Sequence, residues 1–318
     1  MNVPAHLPAT QPWFDMPNAY VDQQLFLLID LAVDVHPLAM IRDENLKSGC
    51  LFGYAVDAPI AVKTPRLVQI DAPSQSQLLR WFNRPGTPAH AATLLASATD
   101  FDELLAHLKS ILDVELEGID TMYLAFWDPA ILATLMGSPA DQSLHVPGPV
   151  LRSDQAAIFR GPVIRWWYRD RRGQLHDALA ATSSSISEAG TASPQIVLNA
   201  EQVDQLVEAA VPDHLLQHVR QNQPELLANL EAHDHYDFMR EQLRRAREHG
   251  LHGTGDLVNY LCLALAFGAQ FDEVPDMAAL LQRVSQREMN FDAVMKQANE
   301  AALDAAKKAP ALLREHVA

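Results

Sequence analysis

From Gln24 to about Trp167 the chain alternates between two hydrophobic periods. Leu25-Phe-Leu-Leu-Ile29 is a continuous apolar run, the pattern of a strand buried on both faces. Cys50 to Tyr54, Arg66 to Ile70, Ala91 to Ala96 and Ile164 to Arg169 read as further strands. Asp71-Ala-Pro ends the Arg66 strand, and Asp43 to Leu46 sits near a helix end. Gln75 to Phe82 and Asp100 to Ile111 carry helical spacing; in the second, Leu104, Leu105 and Leu108 share a face and Thr99 or Asp100 can cap. Val114 to Glu117 and Met122 to Trp127 form a hairpin around Gly118-Ile-Asp120.

Two segments punctuate this pattern. Tyr123-Leu-Ala-Phe-Trp-Asp-Pro129 alternates as a strand and stops at Asp-Pro, which forbids a continuing central strand and opens a helix running to Met136. Phe159-Arg-Gly-Pro-Val-Ile-Arg-Trp-Trp167 repeats the device in reverse, with Gly-Pro ahead of an aromatic strand and Asp170-Arg-Arg-Gly173 as its turn. Trp166, Trp167 and Tyr168 cannot all face one side of a strand, so at least one points outward or under a second layer. The expectation is an α/β lobe with a mixed sheet over residues 20–180.

Ala180 to Pro194 breaks the texture with small polar residues, Gly and Pro, and predicts a linker over 181–197. Beyond it the period is helical, and no strand is expected after about Val197. Asn199 caps a helix to Val211, Pro212-Asp213 restarts one, and Pro224 opens a long one closed by Gly250. Thr254, Pro275-Asp276 and Asn290 open the remaining helices, the last running into Lys307-Lys308. The expected second lobe, 198–310, is all-α and has no internal repeat.

The 318 residues carry 48 % hydrophobic positions, enough for a substantial core. A formal net charge of −16 argues against a grip on nucleic-acid phosphates and for neutral or basic protein partners. Cys50 and Cys262 are the two cysteines, far apart, which suits reduced thiols in the cytoplasm. No signal peptide is expected at Met1 to Asn18, and Leu257 to Ala269 is too short to insert in a bilayer.

Candidate chemistry is sparse. His233-Asp-His235, with Glu231 and Asp237, resembles a metal set, but on an intact helix residues two apart point away from each other. Gly250-Leu-His-Gly-Thr-Gly255 lies between helices and has the wrong glycine order for a dinucleotide loop. No phosphate loop or serine elbow is present, so no catalytic, metal or cofactor residues are assigned. One enzymatic alternative stays open: a hydrolase whose Asp30, His36 and Cys50 converge only in three dimensions. Asp30 and Asp34 at a strand end otherwise suit turns and caps, and both cysteines suit buried thiols. Arg240, Arg244 and Arg247 share one helical face beside Glu241, and Arg169, Arg171 and Arg172 form a second cationic spot. The first face is the candidate for partner binding.

Over most of residues 20–290 the sequence resembles the bacterial type VI secretion effector adaptor, or chaperone, family. The resemblance rests on Leu27-Leu-Ile-Asp30 with Ala32, Leu51-Phe52, Pro65-Arg-Leu-Val68 before Asp71, and Leu78 to Phe82 with Trp81. It continues through Ser97, Leu104 to Leu108 with His107, Phe126-Trp-Asp-Pro129, and Gly161-Pro162 before Trp166. Ala246 to Leu251, Leu257 to Gly268 and Phe271-Asp272 resemble its closing helices. Leu31 stands where the family usually has glycine, and Ala91-Ala92 where it often carries tryptophan. The resemblance implies a protein without catalysis or cofactor. It implies two partners: a secreted toxic effector, held in the cytosol, and the trimeric valine-glycine-repeat spike protein onto which it is loaded.

Overall fold

The computed structural model describes residues 23–54, 59–73, 75–117, 119–180 and 195–297. It divides into two compact units, 1–209 and 210–318. The first is α/β and the second helical.

The central sheet of the first unit runs β2 (Ser48–Cys50), β3 (Pro65–Ile70), β1 (Gln24–Asp30), β4 (Ala92–Ser97), β7 (Val163–Arg169), β8 (Leu175–Asp177), with every neighbouring pair antiparallel. A second sheet places β5 (Asp113–Leu116) between β6 (Ile119–Tyr123), antiparallel, and β9 (Val197–Leu198), parallel. Strand pairing in the unit is therefore mixed, through the smaller sheet.

The sheet is buried on both faces because successive side chains alternate sides. Phe26 and Leu28 of β1, Leu95 of β4, and Trp166 and Tyr168 of β7 face one core. α3 (Phe101–Ser110), α4 (Pro129–Met136) and α5 (Ser153–Arg160) cover that face. Leu27, Ile29, Leu94, Ala96 and Trp167 face the other, under α1 (Pro37–Asp43) and α2 (Gln77–Asn83). All three consecutive aromatics of β7 are buried, the odd one under the second layer.

The two punctuated segments meet in the first core. Phe159 stacks on Trp166, with ring centroids 5.5 Å apart. Phe126 meets both edge-on at 5.6 and 5.9 Å, the offset geometries aromatic quadrupoles prefer. Trp166 donates its indole N–H to Thr93 Oγ1 at 2.9 Å, which satisfies a buried polar group. Gly161 turns the chain between α5 and β7 with φ of +48°, and a Cβ there would lie 2.2 Å from the His107 ring. His107 Nε2 is 3.1 Å from Phe159 O, and burial lowers the imidazole's pKa.

Several elements differ from the sequence reading. β6 ends at Tyr123, not Trp127: Leu124 N–H still reaches Leu112 O, but Asp128 N–H turns back to Ala125 O and the chain leaves the sheet. β2 likewise stops at Cys50 before a turn. The hydrophobic pattern does not signal α5, β8 or β9, which the structure adds. Ile196 and Leu198 are buried in the first core, so the end of the expected 181–197 linker already belongs to the first unit and enters its strand β9 at Val197; residues 181–194 of that linker lie outside the described residues.

α6 (Ala200–Asn222) is one helix with Pro212 inside it, not two helices restarted at that proline. The unit division falls within α6, at 209/210. Val203 and Leu206 pack on the first core, while Leu215, Leu216 and Val219 belong to the second.

In the helical unit a short 3₁₀ turn (Pro224–Asn229) precedes α7 (His235–Glu248), α8 (Thr254–Phe267), α9 (Pro275–Ser285) and α10 (Phe291–Gln297). Pro224 thus opens a 3₁₀ turn, and the long helix starts later, at His235. Gly250 follows α7 with φ of +81°, the left-handed closure expected there. Met239, Leu243, Tyr260, Leu261, Phe271 and Leu281 centre its core. The continuation toward Lys307-Lys308 lies outside the described residues. No helix among the described residues is long and apolar enough to cross a membrane.

Candidate functional site

The C-terminal end of β1 organises the most exposed aromatic group of the first unit. Asp30 accepts from Ala32 N–H at 2.8 Å and from the Trp127 side chain. Burial raises its pKa, and these hydrogen bonds only partly offset that rise. Asp128 caps α4 by accepting from Ala130 and Ile131 N–H, with Pro129 at the first helical position. Phe-Trp-Asp-Pro is therefore a scaffold in which each residue has a structural task. Trp127 also meets the Phe52 ring edge-on at 5.6 Å, and Phe52 meets Tyr123 at 5.5 Å and Tyr54 at 6.4 Å. Tyr123 is 63 % exposed, far more than a core aromatic.

The three residues of the hydrolase alternative engage separate partners. Asp30 is engaged as above. His36 Nδ1 is 2.6 Å from Asp34 Oδ1 on an exposed turn. Cys50 is buried with Sγ 3.1 Å from Thr64 Oγ1. No hydrogen bond joins any two of the three. Asp34 also accepts from Trp81 Nε1 at 3.0 Å; burial raises its pKa, but the bonds from His36 and Trp81 outweigh that and the net shift is downward. Both aspartates thus fill turn roles, each accepting from the backbone amide two residues on, and neither caps a helix.

The arginine face is laced into its own helix. Arg240 pairs with Asp237 at 3.1 Å, and Arg244 pairs with Glu241 at 2.6 Å and with Glu248. Arg247 lies about one turn beyond Arg244 and about two beyond Arg240 in α7 and has partners of its own. In the other cationic spot, Arg169 is tied to Asn83 Oδ1 and Gly173 O, both at 2.8 Å. His233 and His235 do not converge. His233 precedes α7, 3.4 Å from Asp234, and His235 Nε2 is 3.2 Å from Leu230 O.

Two buried polar clusters escaped the sequence reading. In the first, Asp141, Asp170 and His176 place ligand-type atoms within 4.8 Å of one another, the one such group among the described residues. Their atoms are engaged. Asp141 accepts from Ser143 N–H and Oγ, and its other oxygen is 3.1 Å from the Tyr168 hydroxyl. Asp170 accepts from the Arg172 and Gln174 amides and, at 2.9 Å, from His176 Nε2. Burial raises the Asp170 pKa, but the bonds from His176 and the two amides prevail and lower it overall. The set clamps the β7–β8 hairpin to the loop after α4.

In the second cluster, Asp272 accepts from Arg245 at 2.5 and 3.1 Å, from the Tyr260 hydroxyl at 2.5 Å and from His249 at 3.1 Å. Burial alone would raise its carboxyl, yet the His249, Arg245 and Tyr260 bonds hold it well below the usual carboxylate range. Burial and the Asp272 charge push Tyr260 the other way, upward.

On this α/β scaffold, residues 25–145 match the family described as Domain of unknown function (DUF4123). The matched stretch runs from β1 into the loop after α4 and contains the whole exposed aromatic group. No curated protein and no solved structure matches the chain at a significant level.

Proposed function

We propose that this protein is a non-enzymatic adaptor of a type VI secretion system, which holds a toxic effector in the cytosol and helps load it onto the spike tip protein. The observation that carries the reading is the role of the residues on which the family resemblance rests. Trp127 holds Asp30, Asp128 caps α4, and His107 packs against Gly161. These residues build a scaffold. Around that scaffold the matched segment exposes Tyr123 and Tyr54, the residue type enriched where proteins bind proteins. A net charge of −16 adds a preference for basic partner surfaces.

The test is whether toxin and spike genes lie beside this one, followed by co-expression with those that do. The adaptor should co-purify with the toxin, and its deletion should abolish delivery of that toxin while leaving the secretion machine able to fire. Failure of the wild-type chain to bind any neighbouring toxin or spike tip overturns the reading.

A further inference from the structure

We propose that the outer edge of β6 is a docking site for an extended cationic segment of a partner protein, which adds to the small sheet as a fourth strand. The inference rests on the adaptor reading only for the identity of that partner.

The backbone supplies the first argument. Among the described residues β6 pairs with β5 alone and forms one border of its sheet. Leu124 N–H bonds to Leu112 O, so in the alternation of an antiparallel ladder Met122 also faces β5. Thr121 and Tyr123 therefore turn their N–H and C=O groups outward. Glu115, opposite Thr121, agrees: its N–H points the other way, to Ile196 O at 2.9 Å. The opposite border is closed differently, since Val197 O in β9 accepts from Gln155 Nε2 at 2.6 Å. An exposed edge of this kind is a template for a further strand.

The side chains specify the occupant. Thr121 and Tyr123 share the solvent face with their cross-strand partners Glu115 and Asp113, and Glu117 continues that row. None of the three carboxylates has an ion pair among the described residues. An added strand would lay its outward side chains beside Tyr123, within a Debye length of this row. Lysine or arginine there gains both the carboxylate field and the Tyr123 ring face. On the opposite face the neighbour is half-buried Met122, which packs on the core and suits an apolar side chain. The partner is thus an extended segment alternating basic and apolar residues. A second copy of this chain fits poorly, because two such edges would bring two acidic rows together.

The probe is a blocked, fluorescein-labelled peptide of alternating lysine and valine, about eight residues long, enough for one strand. It is titrated against the full chain by fluorescence anisotropy at low and high salt. Binding should weaken with salt, and a glutamate–valine peptide should not bind. Thr121→Pro removes an outward N–H and leaves the β5 ladder intact, so it should weaken binding by at least about tenfold. Asp113→Lys with Glu115→Lys should do the same by about tenfold. Circular dichroism controls for folding. Hydrogen exchange of the wild-type chain gives an independent measure: the Thr121 and Tyr123 amides should become protected when peptide is added.

Equal affinity in well-folded Thr121→Pro, or no protection of those amides at saturation, overturns the strand site. Undiminished capture of the toxin and spike tip by Thr121→Pro also removes it and leaves the adaptor reading standing. Protected amides in a chain that captures neither protein would uphold the strand site and defeat the adaptor reading.

Discussion

Asp272→Ala is the most informative single substitution, because one buried carboxylate collects three side chains from separate parts of the helical unit. Arg245 comes from α7, His249 from its end and Tyr260 from α8. Asp272 is almost fully buried and Arg245 largely so. Removing one member of a buried pair leaves the other charge uncompensated, at a cost of about 3–5 kcal/mol. Glu273 remains 2.8 Å from Arg245 and still neutralises part of it, which places the loss near ~3 kcal/mol. For a unit of this size that is a fall in Tm of roughly 10–20 °C. Tyr260→Phe removes a single bond to the charge and should cost about 1.5–3 kcal/mol.

The pH dependence has a definite sign. Asp272 is depressed in the folded state from an ordinary value of 3.8. Its contribution is therefore complete above about pH 4 and is lost as the pH falls from there toward the folded value. Wild type and Asp272→Ala should converge in stability as the solution is acidified.

The assay exploits the placement of the tryptophans, all five of which lie at or before Trp167. Trp81, Trp127, Trp166 and Trp167 report the first unit by their fluorescence, whereas circular dichroism at 222 nm also reports the helical one. In urea the substitution should move the circular-dichroism transition to lower denaturant and leave the fluorescence transition in place. A loss below about 1 kcal/mol would refute the claim that this carboxylate organises the unit, since that is the scale of an exposed ion pair.

Three further outcomes follow from the other sites. Gly161→Ala should destabilise by at least about 2 kcal/mol, because its Cβ meets the His107 ring at positive φ, and adding His107→Ala should recover part of the loss in thermal melts. Extensive chelation should leave Tm unchanged; a large drop restored by zinc would show that Asp141, Asp170 and His176 hold an ion. Reversing Arg240, Arg244 and Arg247 to glutamate should slow toxin association and weaken its salt dependence without unfolding the chain, and unchanged capture at both salt concentrations would remove that face from partner binding.

Periodicity made the frame of the first unit readable. The apolar run of β1, the capped helix at Asp100 and the Asp-Pro start of α4 are local signals, each fixed by residues within a few positions. What stayed hidden was tertiary. β9 is two residues long and exists because Leu116 and Leu198 face the same core. Tyr123 to Trp127 alternates like a strand, but burying Phe126 against Phe159 and Trp166 pulls the chain out of the sheet. Pro212 reads as a breaker, yet α6 runs through it without interruption.

The sites obeyed the same division. The arginine face was visible because three residues on one helix share a spacing, whereas their acidic partners at Asp237, Glu241 and Glu248 show why such a face is not automatically available to a partner. The Asp141–Asp170–His176 set draws on a loop, a turn and a strand separated by up to 35 positions, 176 minus 141, and no spacing rule unites them. The open edge of β6 lies between these cases. Its acidic alternation, Asp113, Glu115 and Glu117, is present in the sequence, where only a hairpin over Val114 to Glu117 and Met122 to Trp127 is legible. Only the ladder register turns the Thr121 and Tyr123 backbone outward beside it, and it is this backbone, more than the charges, that distinguishes a surface able to select an extended partner from one that is merely acidic.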